Sequence, residues 1–190
     1  MKKRVILVTD GDLNAKKAIE IATQKIGGRV ISRSAGNPTL LSGEEIIELI
    51  KETPYDPVVV MVDDRGNTHR GSGEEAMAQI LKSNDVEVMG VVAVAANSSR
   101  VTGVEVDVSI DNQGNVIDYA VDKDGYAKDD KIIKGDTVDI LNDYDVPVIV
   151  GVGDVGKMEG QDDVEFGAPI ITKALEEVIK LYETKKKINK

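Results

Sequence analysis

The sequence predicts one three-layer α/β domain with a mainly parallel, Rossmann-like sheet and a β-hairpin inserted at its edge. Short continuous runs of Val and Ile recur along the chain, which is typical of strands buried on both faces. Segments with helical apolar spacing separate these runs, and the alternation favours a parallel sheet covered by helices. Three of the apolar runs end in acids and glycines. A chain of 190 residues suits a single domain, 1–190, with a hairpin subdomain at about 101–125.

The first half of the chain alternates predicted strands and helices. Strands are predicted at 4–9, 29–33, 58–62 and 86–95. Helices are predicted between them at about 13–26, 42–51 and 72–81. The first helix has an apolar face that includes Ala18 and Ile19, and it ends at Gly27 because glycine favours helix carboxyl termini. The next two helices each begin with a capping box, whose cap residues are Ser42 and Ser72.

The second half begins with an alternating pattern that predicts a half-buried strand. Apolar residues alternate with polar ones at Val104, Val106, Val108 and Ile110. A turn at 112–114 and a return strand at 115–121 complete a β-hairpin, which we expect to be antiparallel. A short helix, a strand and a long final helix are predicted at 136–141, 146–150 and about 169–184.

Composition excludes several classes of protein. The net charge is −10, and residues 105–145 hold twelve acids against four Lys. An acidic surface repels phosphate backbones, so nucleic acid is not an expected partner. The absence of Cys rules out a disulfide framework and a thiolate metal site. The four apolar residues after Arg4 are too few for a signal peptide, and no window has the ~20 apolar residues of a membrane helix. These features predict a soluble, cytoplasmic protein.

Acidic residues follow three of the predicted strands. The carboxyl ends of parallel strands meet at one edge of a sheet, where ligands bind, so Asp10, Asp63 and Asp154 are expected at the same edge. Two carboxylates on one tight turn can share a hard divalent cation. The sequence therefore predicts a weak Mg²⁺ or Ca²⁺ site formed by Asp10 and Asp12, with Asp63 or Asp64. In an alternative interpretation, Asp12 caps the helix that follows it.

Two further loops offer groups that bind anions. The segment after the second strand supplies Arg33, Ser34 and Asn37, with flexible backbone around them. The loop after the third strand supplies Arg65 and Arg70, which could grip a carboxylate or pair with the neighbouring acids.

Cofactor binding is not expected from the remaining motifs. His69 is the only histidine, so a histidine-based metal site is excluded. Residues 151–156 formally match the dinucleotide fingerprint, but Asp154 would then face the pyrophosphate. We therefore expect no NAD, and no haem or flavin.

One local segment resembles an enzyme motif. Residues 5–18 are similar to the Asp-x-Asp motif of the toprim fold, which implies a Mg²⁺-dependent hydrolase or phosphotransferase that uses Asp10 and Asp12. Toprim domains also carry a catalytic Glu after an earlier strand. Asp10 follows the first strand, so that Glu has no place here. We find no nucleophile–base pair in the sequence, and an enzyme is kept as the alternative function.

Six blocks in order resemble one protein family over nearly the full length. They are VILVTDGD at 5–12, ISRSAGNP at 31–38, PYDP at 54–57, VDVSID at 106–111, GDTV at 135–138 and GVGDVGKM at 151–158. These blocks resemble the stage V sporulation protein AE family, the soluble member of the SpoVA group. The resemblance implies an endospore-forming bacterium and a part in moving dipicolinic acid, with Ca²⁺, into the forespore.

The resemblance also implies membrane partners, since the other members of the SpoVA group are membrane proteins. It carries over no catalytic residues. The predicted function is support of dipicolinate accumulation, by binding the ligand or by docking onto those partners, without turnover. A homo-oligomer is left open. If dipicolinate binds directly, Arg33, Arg65 and Arg70 are the expected carboxylate contacts, because Arg matches that geometry bidentately.

Overall fold

The computed structural model of the protein describes residues 1–65, 71–98 and 101–189. It has an α/β fold with a seven-stranded, mostly parallel mixed sheet and a small two-stranded antiparallel sheet. The strands are β1 (Lys3–Val8), β2 (Arg29–Val30), β3 (Val58–Met61), β4 (Val86–Val94), β5 (Val104–Glu105), β6 (Val108–Ile110), β7 (Val116–Ile117), β8 (Ile132–Ile133) and β9 (Ile149–Val152). The helices are α1 (Leu13–Lys25), α2 (Gly43–Glu52), α3 (Ser72–Lys82) and α4 (Pro169–Ile188).

The strand order of the large sheet is β2-β3-β1-β4-β9-β6-β7. Neighbouring strands are parallel from β2 to β6, and β6 and β7 are antiparallel at the edge. The predicted fold class is confirmed. β1 lies between β3 and β4, so the loop after β1 leaves from the interior of the sheet.

Helices cover both faces of this sheet. Alternate residues of a strand point to opposite faces. Accordingly, Ile6 and Val8 lie in one core with α1 and α4, whereas Val5 and Leu7 lie in a second core with α2 and α3. β1 and β3 are neighbours, but the helices that follow them lie on opposite faces. Such a switch in direction opens a crevice at the carboxyl ends of the strands.

The two predicted capping boxes have different outcomes. At α2 the box is present: Ser42 Oγ accepts the N–H of Glu45 at 3.2 Å, and the Glu45 carboxylate accepts the N–H of Ser42 at 2.8 Å. At α3 the prediction is wrong, because Ser72 is the first helical residue and its hydroxyl donates to the carbonyl of Thr39 at 2.6 Å. The reason is competition, since the Asp64 carboxylate occupies the first N–H groups of that helix.

The predicted edge hairpin is present but shorter, and its first strand is broken at Asp107. β5 pairs with β8 in the small sheet, and β6 joins the large sheet beside β9. The chain passes from the small sheet to the large sheet at Asp107. The Asp107 N–H donates to the Ile149 carbonyl at 2.8 Å, and the Asp107 carboxylate accepts the Ile149 N–H at 2.8 Å. The alternating pattern correctly predicted the burial of Val104, Val106 and Ile110. It was wrong at the next pair, since Val108 is only partly buried and Ser109 is fully buried, and it did not predict two separate partner strands.

Three other boundaries differ from the prediction. The strand predicted at 29–33 ends at Val30, because the Ser34 hydroxyl accepts the Met61 N–H at 2.9 Å and the chain turns there. The helix predicted at 136–141 is a short 3₁₀ segment, Asp139–Asp143. The strand predicted at 146–150 is Ile149–Val152, since those residues pair with 91–94 of β4.

Candidate functional site

Acidic loops meet at the carboxyl edge of the sheet, as predicted. Asp10, Asp63 and Asp154 each lie two residues beyond the end of their strands β1, β3 and β9. These strands run parallel, so the three loops share one edge. We call this region the acidic crevice and define it by Asp10, Asp12, Asp63 and Asp154.

The loop after β1 is held tightly between its neighbours. The N–H of Gly36 donates to the carbonyl of Gly11 at 2.9 Å. A Cβ on Gly11 would lie 2.5 Å from the Gly36 oxygen and 3.2 Å from the Asp63 Cβ. Only glycine fits between these atoms. The position of Asp10 is therefore coupled to the loops after β2 and β3.

The surroundings of Asp10 and Asp63 disfavour the ionised form of both side chains. Burial, followed by the charges of Asp12 and Asp63, raises the pKa of Asp10 to about 7. Burial also raises the pKa of Asp63, and the charge of Asp136 adds to this shift. Two backbone N–H groups, from Asp64 and Arg65, donate to Asp63 Oδ1 and act in the opposite direction. The crevice therefore has more negative charge than its surroundings balance.

Asp12 is better compensated than Asp10. Its Oδ1 accepts the N–H groups of Asn14 and Ala15 at 2.8 and 2.9 Å, so it caps α1 as the alternative interpretation proposed. Its Oδ2 accepts from Lys157 Nζ at 3.1 Å. Partial burial acts to raise the pKa of Asp12, but the bonds from Ala15 and Lys157 outweigh it and the pKa is lowered.

Asp64 is directed towards a helix. Its side chain is buried, and its two oxygens accept the N–H groups of Gly73 and Glu74 at 2.6 and 2.7 Å. These bonds satisfy donors at the amino end of α3, where a negative charge is also favoured by the helix dipole. Both oxygens of Asp64 are thus engaged away from Asp10.

The predicted metal site stays a prediction. Asp10, Asp12 and Asp63 share one electrostatic neighbourhood, since the charges of the other two raise the pKa of Asp10. Within 1–65, 71–98 and 101–189, no group of three or more His, Cys, Asp or Glu side chains is arranged to hold a metal ion.

The residues predicted to bind anions lie in different environments. Ser34 is fully buried, and its hydroxyl donates to the Ile31 carbonyl at 2.7 Å while accepting from Met61. Arg33, Asn37 and Arg65 are exposed. Arg65 has a left-handed backbone, with φ of 54°. Two other residues of interest, His69 and Arg70, lie outside the described residues.

The sequence analysis did not predict two residues that lie at this edge. Asp136 accepts from the Ser98 hydroxyl, and its charge raises the pKa of Asp63. Lys157 contacts Asp12, and although burial acts to lower its pKa, that contact keeps the pKa raised. A signal for Asp136 existed, because the apolar pair Ile132-Ile133 is followed, after Lys134, by Gly135 and Asp136. The strand β8 is only two residues long, which hid the pattern.

The raised pKa of Asp10 predicts a loss of stability as the pH rises from about 4 to 7. The folded protein keeps the Asp10 proton up to a pH of about 7, whereas the unfolded chain loses it near ~4. The unfolding free energy therefore falls through this group by at most about 1.4 kcal/mol per pH unit. We expect Asp10→Asn to be more stable than the wild type at pH 8, as measured by urea unfolding.

The matched control is Asp12→Asn, for which the sign is opposite. The pKa of Asp12 is lowered in the folded state, so its contribution is present at neutral pH and is lost as the pH falls below about 4. Asp12→Asn should therefore be less stable than the wild type at pH 7, and the difference should shrink in acid. An Asp10→Asn variant that is less stable than the wild type at pH 8 would contradict the assignment.

Comparison with known families agrees with the blocks seen in the sequence. A model of the stage V sporulation protein AE1 family matches residues 4–181, which include the whole acidic crevice. Searches of curated proteins and of solved structures find no match. Among the helices of the described residues, none is long and apolar enough to cross a membrane. The family match implies a role in sporulation and confirms the resemblance: the chain belongs to the stage V sporulation protein AE1 family.

Proposed function

We propose that the protein supports dipicolinic acid accumulation in the developing spore by binding calcium dipicolinate at the acidic crevice, without turning over a substrate. Membership of the sporulation family supports the biological setting. The observation that carries the binding role is the poorly compensated charge of Asp10 and Asp63, whose pKa values are both raised by burial. A dicarboxylate chelated to Ca²⁺ presents both signs of charge to such a crevice.

The cation half of the proposal follows from the carboxylates. A hard divalent ion prefers carboxylate and carbonyl oxygens, and it stabilises the ionised form of a buried acid. Asp10 is the first expected ligand, because its Oδ1 accepts one long backbone bond, from the Asp12 N–H at 3.3 Å, whereas Asp12 and Asp64 each accept two bonds of 2.6–2.9 Å at a helix start. Ca²⁺ would displace the Asp10 proton, so its affinity should increase with pH up to about 7, the pKa of Asp10.

The anion half rests on exposed arginines near the same edge. Arg33 follows β2 and Arg65 follows β3, and both side chains are exposed. A guanidinium binds a carboxylate through two parallel hydrogen bonds, and an exposed one does so without a large desolvation cost. Arg70 keeps its predicted role of carboxylate contact. Neutral replacements of Arg33 and Arg65 should weaken dipicolinate binding more than Ca²⁺ binding.

Membrane proteins of the SpoVA group are the proposed partners. Dipicolinate must cross the forespore membrane, and a protein of this family would act on the cytoplasmic side beside a channel. The net charge of −10 argues against nucleic acid as a further partner. If the protein is only an adaptor, replacing the arginines should leave spore dipicolinate unchanged.

A specific observation favours a second candidate, a Mg²⁺-dependent hydrolase or phosphotransferase. The pKa of Asp10 is raised to about 7 while that of the neighbouring Asp12 is lowered. Two carboxylates with separated pKa values suit general acid–base chemistry near neutral pH. The toprim-like spacing of these residues agrees with this candidate.

The test is calorimetric titration of the purified protein with CaCl₂, MgCl₂ and dipicolinate, alone and in combination. We expect Ca²⁺ to bind, dipicolinate to bind more tightly in its presence, and Asp10→Asn to weaken Ca²⁺ binding at least tenfold. Asp118→Asn is the control, because Asp118 is an exposed acid on the edge hairpin. No heat of binding with Ca²⁺ and dipicolinate together would refute direct binding.

Deleting the gene in the spore-forming bacterium tests the role in dipicolinate accumulation in cells. Low spore dipicolinate, restored by the wild type and not by Asp10→Asn, is the expected result. Normal dipicolinate content in the deletion strain would refute the transport role. A metal-dependent phosphoesterase activity that is lost in Asp12→Asn would instead support the second candidate.

A further inference from the structure

A cavity of about 400 Å³ lies at the carboxyl end of β4. Its lining includes most of the lysines of an otherwise acidic segment. We call it the lysine cavity and define it by six of its lining residues, which are Ala95, Asn97, Val121, Lys123, Lys128 and Lys134. Residues 105–145 contain twelve acids and only four lysines. Three of those four lysines line this one cavity.

The backbone of the lysine cavity is fixed by the sheet. The carbonyl of Lys134 accepts the Ala96 N–H at 2.9 Å, just beyond the end of β4. The carbonyl of Lys123 accepts the Asp154 N–H at 2.7 Å, just beyond the end of β9. The lysines therefore project from segments tied to two adjacent interior strands. The backbone of Lys123 and Lys134 is therefore fixed before a ligand binds, which limits the ordering cost to their side chains.

The acids near these lysines balance them only weakly. Asp122 is turned to its own loop, where its carboxylate accepts the N–H groups of Asp124 and Tyr126 at 2.9 and 3.0 Å. Lys123 Nζ lies 3.8 Å from Asp124 Oδ1, and both side chains are partly exposed. Lys128 Nζ lies 3.5 Å from Oδ1 of Asp130, whose side chain is 58% exposed. Exposed ion pairs contribute little because water screens them. Within the part of the chain that the structure describes, Lys134 forms no ion pair with a carboxylate.

The shape and lining restrict the ligand. Ala95 and Val121 are buried and form apolar wall, whereas Asn97 and Ser98 add polar groups. A volume of about 400 Å³ accommodates a small molecule, since ligand sites occupy roughly 300–1,000 Å³. Three ammonium groups around such a space favour an anion with at least two negative charges. A polymer or a monovalent ion fits less well.

We infer that the lysine cavity binds a small multivalent anion, either a dicarboxylate or a phosphate, through Lys123, Lys128 and Lys134. This site uses residues that the acidic crevice does not contain. The inference therefore stands whether or not the acidic crevice binds a cation. Lys134 should contribute most, because Lys123 Nζ lies 3.8 Å from Asp124 Oδ1 and Lys128 Nζ donates to the Ile132 carbonyl at 3.0 Å.

The experiment is calorimetric titration at low ionic strength, without divalent cations, using inorganic phosphate and isophthalate as separate probes and acetate as the monovalent control. We expect one dianion to bind at millimolar concentration or below and acetate not to bind measurably. Lys134→Gln should weaken binding about tenfold, which corresponds to about 1.4 kcal/mol. The stronger of the two probes identifies the ligand as a phosphate or a dicarboxylate.

The matched control is Lys131→Gln, which removes the fourth lysine of the same segment. Lys131 is exposed and does not line the cavity, so its variant should bind the anion as the wild type does. Asp10→Asn should also bind normally, which separates this test from that of the proposed function. Equal weakening in Lys131→Gln and Lys134→Gln, or no binding of either dianion to the wild type, would overturn the inference.

Discussion

Replacing Asp162 with Ala is expected to lower the free energy of unfolding by about 3–5 kcal/mol, because buried donors would lose a charged acceptor. Asp162 is fully buried and accepts three backbone N–H groups. Its Oδ1 binds those of Ile170 and Ile171 at 2.7 and 3.0 Å, and its Oδ2 binds that of Gly156 at 2.9 Å. Each orphaned buried donor costs about 1–3 kcal/mol.

The effect should be large because, among the residues that the structure describes, no other side chain caps the amino end of α4. The residue at its N-cap position, Ala168, provides no side-chain acceptor. Asp162 therefore caps this helix of twenty residues from a distance and joins it to the turn at Gly156. That turn precedes Lys157, so the contact between Lys157 and Asp12 should loosen as well.

Urea unfolding at pH 7 measures this prediction, with Asp163→Ala as the neighbouring control. Within the described part of the chain, the Asp163 carboxylate accepts one backbone N–H, that of Glu165 at 2.8 Å, in a partly exposed loop. Losing an exposed cap of this kind costs about 1 kcal/mol or less. If the two variants lost similar stability, it would be wrong to assign Asp162 as the residue that stabilises the start of α4 and the turn at Gly156.

Gly73→Ala is expected to destabilise the protein by about 3 kcal/mol, although Ala is the better helix former by about 1 kcal/mol. Gly73 lies in the first turn of α3 and is pressed against the backbone of Asp63. A Cβ there would lie 2.7 Å from the carbonyl carbon and 2.8 Å from the nitrogen of Asp63, and closer still to its oxygen. Backbone atoms cannot rotate away as a side chain does.

The strain should reach the candidate site. Asp63 is held in place by Thr39, whose hydroxyl accepts the Asp63 N–H at 2.9 Å. Either α3 moves and loses the bond from the Gly73 N–H to Asp64, or Asp63 moves within the acidic crevice. We therefore expect weaker Ca²⁺ binding in Gly73→Ala than in the wild type, in addition to the loss of stability.

Gly114→Ala is the control for Gly73→Ala, because it separates the stability cost of steric overlap from that of backbone strain. Gly114 has φ of 81°, but the nearest atom to its added Cβ would be 3.9 Å away. Its substitution should cost about 1 kcal/mol, through the left-handed backbone alone. Urea unfolding of both variants gives the comparison, and a Gly73→Ala protein as stable as the wild type would show that α3 can shift without cost.

The sequence was sufficient for the interior of the fold because local pattern and burial agree there. The uninterrupted apolar run of β3 predicts a strand covered on both faces, and the structure has it between β1 and β2. The acids after β1, β3 and β9 share an edge for a simple reason, since parallel strands end on the same side. The Ser42 capping box was predictable because both of its partners lie within four residues.

Features that depend on distant partners were not predictable. Ser72 and Asp64 both could cap α3, and only the three-dimensional path of the chain decides in favour of Asp64. The break at Asp107 depends on Ile149, far along the chain. Lys123 and Lys134 have no periodic spacing, so nothing local indicates that they line one cavity. Asp162 was not singled out from the sequence, because nothing local distinguishes it from the neighbouring Asp163.

The large sheet ends on both sides in a strand of only two residues, β2 and β7. An edge strand presents unpaired N–H and C=O groups that can recruit strands from other molecules, and a long apolar edge leads to aggregation. The most apolar strand, β3, lies inside the sheet, where its Val run cannot stack on copies of itself. Short edges and a net charge of −10 therefore protect the folded protein from fibril-like self-association when it is concentrated.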